Sequence, residues 1–148
     1  MTDLEAFEKL VPLDHGLVVV STSRAEGTIQ SSVVNAGVLD HPISGTPVVG
    51  FVAAGSSKRL GNLRARPRAT IVIRAGWQWA GVEGSVELAG PDDPLDGVDG
   101  ERLRLLLREI FTAAGGTHDD FDEYDRVMAE ERRVAVLVEP ERVYGPAS

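Results

Sequence analysis

The chain has no cysteine, which removes disulfides and thiolate metal sites. Its three histidines, His15, His41 and His118, lack metal-like spacing, so no metal site is expected. No apolar run approaches the roughly 20 residues that span a bilayer; the longest are strand-sized, and no membrane partner is expected. The first residues, MTDLEAFEKLVPL, are acidic and polar, unlike a signal peptide, and a cytoplasmic protein is expected. Nucleophile elbow, P-loop, dinucleotide fingerprint and paired-carboxylate motif are all missing. A site without an evident protein catalyst suggests that a cofactor carries the chemistry; catalytic residues are therefore unassigned.

One further absence is local. From His41 to Val82 there is no Asp or Glu, although the whole chain carries a formal net charge of −8. Six cations fall in that window: Lys58, Arg59, Arg64, Arg66, Arg68 and Arg74. Outside it all 23 acids face only nine bases. An acidic protein with one basic segment repels polyanions at long range and holds a small anion locally. Duplex nucleic acid is disfavoured as a partner, because the long-range field has the wrong sign.

With 148 residues and 43% hydrophobic composition, the chain suits a single domain over residues 1–148. Thr2, followed by Glu5, predicts a capping box for a helix to about Leu10, ended by Pro12. GLVVVSTS (16–23) and TIQSSVVNAGVLD (28–40) read as a hairpin of two strands, and VVGFVAA (48–54) as a third. SSKRLGNLRARP is a short helix that must stop before Pro67. RATIVIRA (68–75) and WQWAGVEGSVELAG (77–90) are two more strands joined at Gly76. PDDPLDGVDG reads as a flexible acidic loop, ERLRLLLREIFTAAGG (101–116) and DDFDEYDRVMAEE (119–131) as helices, and RRVAVLVEPERVYG (132–145) as a last strand with a short return beyond Pro140. About six antiparallel strands with peripheral helices predict a mainly β fold, a small barrel.

Gly55-Ser56-Ser57 leads from a strand into the basic helix. A helix N-terminus offers unpaired N–H groups and a positive dipole end, which bind phosphate or carboxylate. Gly55 is read as allowing backbone to approach the ligand, and either serine as a cap or a hydroxyl donor. Arg59, Asn62 and Arg66 stand at i, i+3 and i+7 on one face, with Leu60 and Leu63 on another. An ordinary capped, solvated helix is the competing reading. Trp77 and Trp79 bracket Gln78 in a strand, so both indoles face one side; they wall a flat ligand or form a core or interface pair. Gln30, Ser31, Ser32 and Asn35 place polar groups mid-strand, where they read a ring's edge or face solvent.

SKRLGNLRARPRATIVI, WQWAGVEGSVEL and HDDFDEYDRVMAEERRVAVLVEPERVYG together resemble the split β-barrel proteins related to pyridoxamine 5′-phosphate oxidase, and in particular the branch that binds the deazaflavin coenzyme F420. The resemblance runs from about Gly16 to Gly145. It implies an FMN-binding-like split barrel and a homodimer with a cofactor site at each subunit interface. It implies cofactor phosphate against Ser57, Lys58, Arg59 and Asn62, with the ring near Ser31, Ser32 and Asn35 and Trp77, Gln78 and Trp79 closing the site. Arg64 and Arg66 would then meet the anionic oligoglutamate tail. The implied activity is hydride transfer from reduced F420 to an electron-poor small molecule such as an enone, quinone or tetrapyrrole. His118, Tyr124 or an interface arginine would supply the proton. The alternatives are an FMN oxidoreductase of the same fold and a protein that carries F420 without turnover.

Overall fold

The computed structural model describes residues 3–148. Helix α1 (Leu4–Leu10) runs into a 3-10 turn, Val11–Leu13, that contains Pro12. The expected cap, Thr2, lies outside the described residues. Asp3 is the N-cap, its carboxylate accepting from the Ala6 N–H at 2.9 Å.

Seven strands follow: β1 (Leu17–Ser23), β2 (Ile29–Asp40), β3 (Pro47–Ala53), β4 (Arg68–Ala75), β5 (Gln78–Ala89), β6 (Val134–Val138) and β7 (Arg142–Tyr144). They pair antiparallel in the order β4-β1-β2-β3-β6-β5, and β4 pairs with β5 to close a six-stranded barrel. The short return after Pro140 is itself a strand, β7, which lies outside the barrel on β5. Closure leaves the barrel no free edge to aggregate.

Two strands of 12 residues, β2 and β5, make closure possible by changing partners midway. β2 pairs with β1 through Ile29–Asn35 and with β3 from Ala36. β5 pairs with β4 through Ser85 and with β6 from Val86. A glycine sits beside each switch because another backbone passes there. A Cβ on Gly37 would lie 2.3 Å from the Ala113 carbonyl carbon, and one on Gly84 would lie 1.7 Å from the Glu139 carbonyl oxygen.

The alternation of side chains sorts the strands into two faces. Val18, Val20, Phe51, Ile71, Ile73, Val82 and Val136 fill the barrel, joined by Phe7 and Leu10 of α1. Leu60 and Leu63 of helix α2 (Lys58–Ala65) complete that core, as their spacing predicts. A second cluster lies outside the barrel. Val48, Ala135 and Leu137 meet Leu106, Leu107 and Ile110 of α3 (Gly100–Ala113) and Tyr124 of α4 (Phe121–Glu130). β6 is buried on both faces, which is why VAVLV is apolar throughout.

The loop between β5 and α3, expected to be flexible, carries two antiparallel bridges, Gly90–Asp93 and Leu95–Val98. Arginines on neighbouring elements grip it: Arg64 on Asp93 and Arg132 on Asp92. Helices α3 and α4 are tied by Asp125, which accepts from Arg108 and from Arg104. Those bonds hold the Asp125 carboxyl below the usual carboxylate range. A depressed folded pKa means the contribution is present above the unfolded value and is lost as pH falls through the folded one. Asp125→Asn should therefore flatten the acid limb of stability below about pH 4, read from melting temperatures along a pH series.

Candidate functional site

Ser57 occupies the N-cap of α2 with extended backbone, φ −68° and ψ 147°, but its side chain caps nothing. Its Oγ is buried without a hydrogen-bond partner. Leaving a buried hydroxyl unsatisfied costs about 1–3 kcal/mol, and beside it the first N–H groups of α2 have no intrahelical acceptor. Lys58 makes no ion pair or hydrogen bond among the described residues. Arg59 is half-buried and has no carboxylate partner among the described residues: its Nε donates to Ser32 Oγ at 2.9 Å. Burial, and then the neighbouring Arg133, depress its guanidinium from the ordinary value. An orphan hydroxyl, free helix N–H groups and an uncompensated guanidinium together form a cradle for a small dianion.

The rest of α2's polar face is occupied in seating the helix. Asn62 Nδ2 donates to Thr22 Oγ1 and Gln30 Oε1, each at 3.0 Å, and Arg66 Nε donates to the Ser23 carbonyl at 2.9 Å. Arg59, Asn62 and Arg66 do share a face, but only Arg59 has its fork free. Arg64 grips Asp93 through two bonds of 2.8 and 2.7 Å, which raise its pKa. Gly55 serves packing. A Cβ there would lie 2.7 Å from the Arg132 carbonyl oxygen, so the α4–β6 turn rests on this glycine. Arg133 follows that turn and is thereby set near Arg59.

β2 divides the polar residues expected near a ring. Gln30 and Ser32 point toward α2, whereas Ser31 and Asn35 are exposed on the other face. Ser31 Oγ shares a hydrogen bond of 2.8 Å with Ser21 Oγ, and Asn35 Nδ2 donates to the His15 carbonyl at 2.7 Å. The tryptophans do not form one wall. Trp77 is in the β4–β5 turn beside Gly76, whose φ is 62°, and is 94% exposed. Gln78 is exposed as well, while Trp79 is half-buried and meets Tyr144 edge-on at 6.2 Å.

A cavity of about 360 Å³ opens between the outer face of β2–β3 and the α3–α4 pair. Asn35 and Val52 form one side, Ile110, Phe111, Tyr124 and Met128 another, and Arg133 closes an end. Arg133 is the residue that sequence reasoning missed; its only signal was a basic Arg132-Arg133 pair interrupting an acidic helix end. Tyr124 is not a free acid here. Its hydroxyl donates to the Leu107 carbonyl at 3.0 Å, and burial pushes its pKa up to about 12. His118 Nδ1 accepts from the Asp120 N–H at 3.0 Å, and the ring packs against Phe111, Phe121 and Tyr124. Among the described residues no cluster of His, Asp or Glu could hold a metal, and no helix is long and apolar enough to cross a membrane.

No protein-family model matches the chain. Solved structures do. A structure described as an F420 reductase is 16% identical with a TM-score of 0.61, over 93% of this chain and 95% of that one. A pyridoxamine 5′-phosphate oxidase-related, FMN-binding protein from Nostoc punctiforme is 14% identical with a TM-score of 0.65, over 95% of this chain and 78% of the other. The conserved hypothetical protein Rv2991 from Mycobacterium tuberculosis is 17% identical with a TM-score of 0.66, over 97% and 82%. The chain has the split β-barrel fold of the pyridoxamine 5′-phosphate oxidase-like proteins. At these identities the likeness is one of architecture. In the split barrel described above, the α2 cradle follows β3, and the cavity lies on the outer face of the same strand.

Proposed function

We propose that this split β-barrel is an F420-dependent reductase that binds the cofactor phosphate at the start of α2. The observation that carries the reading is the buried, unpartnered Ser57 hydroxyl beside an Arg59 that no carboxylate neutralises. Ser57, Lys58 and Arg59 hold the phosphate, while Asn62 and Arg66 keep α2 against β1 and β2. Ser32 orients Arg59 through its hydroxyl, and β2 residues as far as Asn35 would border the ring. Reduced deazaflavin supplies a hydride, having carbon where flavin has N5. The chain's own task is to position the acceptor and exclude water. Tyr124 stays bonded to Leu107, so the proton comes from solvent or from another group.

FMN has one specific observation in its favour. Arg64 is engaged by Asp93 and Arg66 by the Ser23 carbonyl, which leaves Lys58 as the readiest α2 cation for an oligoglutamate tail. If Lys58 meets that tail, F420 binding weakens with salt more steeply than FMN binding does. Turnover separates a reductase from a carrier. Reduced F420 mixed with the protein should be oxidised faster when a quinone or conjugated enone is added. Binding without any acceleration across both acceptor classes would make the protein a carrier.

We also propose a homodimer with the cofactor sites at its interface. Leu17 and Val19 of β1 and Ile29 and Val33 of β2 point outward, and Ile29 and Val33 are about 60% exposed. Val19 and Val33 stand opposite each other in register, with Leu17 two residues away on the same face and the Ser21–Ser31 pair between them and Ile29. Val33→Glu should shift the protein from dimer to monomer in sedimentation, with its melting behaviour retained.

A further inference from the structure

We infer that the cavity beneath α3 and α4 binds a flat, conjugated molecule carrying one carboxylate, and that Arg133 recognises that carboxylate. In the reaction proposed above this molecule is the hydride acceptor, so the catalytic meaning rests on that reading, although the binding does not.

The cavity has the volume of a small-molecule site, about 360 Å³, and its chemistry is one-sided. No Asp or Glu lines it. Val52, Ile110 and Met128 give aliphatic contact, and Phe111 and Tyr124 give two rings with centroids 5.0 Å apart. Because the Tyr124 hydroxyl is held by Leu107, Tyr124 contributes its ring and not a polar group. Aromatic walls of this kind take a planar guest by stacking or edge contact.

Three polar groups of the lining have unused capacity: the exposed His15 ring, Arg133 and Asn35. Arg133 Nε donates to Glu131 at 2.9 Å, and among the described residues neither Nη group has a partner. That fork matches a carboxylate, which it can hold with two bonds. Glu131 meets the guanidinium at Nε, on the side away from the open fork, and the charge is still felt by Arg59 and Tyr124. Asn35 spends its Nδ2 on the His15 carbonyl, which leaves its Oδ1 as the acceptor for a donor on the guest. Asn35 also stands mid-strand where β2 changes partners, among the β2 residues proposed to border the ring, so guest and ring would meet there.

The chain offers a clean reporter. It has two methionines, Met1 and Met128, and Met128 lines the cavity. The experiment titrates 2-naphthoate and its neutral isostere 2-naphthamide into protein carrying ¹³C-methyl methionine, for wild type, Arg133→Gln and Arg133→Lys. The expected result is that the Met128 methyl shifts with both probes, that naphthoate binds about tenfold tighter, and that Arg133→Gln erases the difference. Arg133→Lys should keep part of it, which guards against a variant that merely misfolds. Equal affinity for the two probes in wild type, or binding that leaves the Met128 methyl unmoved, overturns the inference. A parallel F420 titration separates the two readings. Naphthoate recognition without F420 binding sinks the cofactor proposal and keeps the cavity; F420 binding without carboxylate preference does the reverse.

Discussion

Arg59→Ala should weaken binding of the phosphorylated cofactor by about 10- to 100-fold, the equivalent of about 1–3 kcal/mol for a lost charge-assisted hydrogen bond. Of the cations on α2, Arg59 alone is half-buried with its fork unspent. Arg64 is satisfied by Asp93 and Arg66 by a carbonyl. The same substitution should leave the fold intact, because Arg59 contributes one side-chain hydrogen bond, to Ser32, and removing it relieves repulsion from Arg133. Arg126→Ala is the control, since among the described residues Arg126 pairs only with Glu130, on the exposed side of α4. Titration by cofactor fluorescence measures both variants. Equal losses from the two would identify α2 as an ordinary solvated helix.

Gly84→Ala should destabilise the protein by about 3 kcal/mol or more, at the upper end of overpacking effects. The added methyl would sit 1.7 Å from the Glu139 carbonyl oxygen, and that neighbour is backbone, not a side chain that can turn away. Moving it disturbs the Glu139 N–H bond to the Ser85 carbonyl and the Glu141 N–H bond to the Glu83 carbonyl. Both bonds hold the crossing where β5 changes partners from β4 to β6. Denaturant unfolding measures the loss. Gly61→Ala is the matched comparison, because a Cβ there meets nothing within 4 Å and lies inside a helix. It should be neutral or mildly stabilising.

Much of the architecture was legible because it rests on local alternation. Strand positions, the α2 helix before Pro67 and the inward-facing Leu60 and Leu63 all follow from periodicity and from proline. The barrel follows from the strand count, but the way it closes does not, because the switch at Gly84 rests on a contact between residues 55 positions apart (Gly84 and Glu139). The flexible loop was misjudged for a similar reason. Its acids looked solvated in sequence, yet Asp92 and Asp93 are gripped by Arg132 and Arg64 from distant segments.

The site divides in the same way. Ser57, Lys58 and Arg59 stand together at the start of α2, as the strand-to-helix junction, a local signal, predicts. Trp77 falls outside the strand because the turn takes in both Gly76 and Trp77, so β5 begins at Gln78. Ser31 and Ser32 were grouped, although strand geometry sends neighbours to opposite faces; only Ser32 reaches α2. Arg133 and the Phe111–Tyr124 wall belong to elements that close over β3 from the far end of the chain, and no local pattern marks them.

Phosphate recognition at the start of α2 is tested most directly by comparing phosphorylated with phosphate-free ligands. F420 is titrated against its deazaflavin core lacking the phosphodiester tail, and FMN against riboflavin, in wild type and Arg59→Ala. The phosphorylated member of each pair should bind wild type at least about tenfold more tightly than its phosphate-free partner, and Arg59→Ala should close the gap. Equal affinity for phosphorylated and phosphate-free partners in wild type would contradict phosphate recognition at α2.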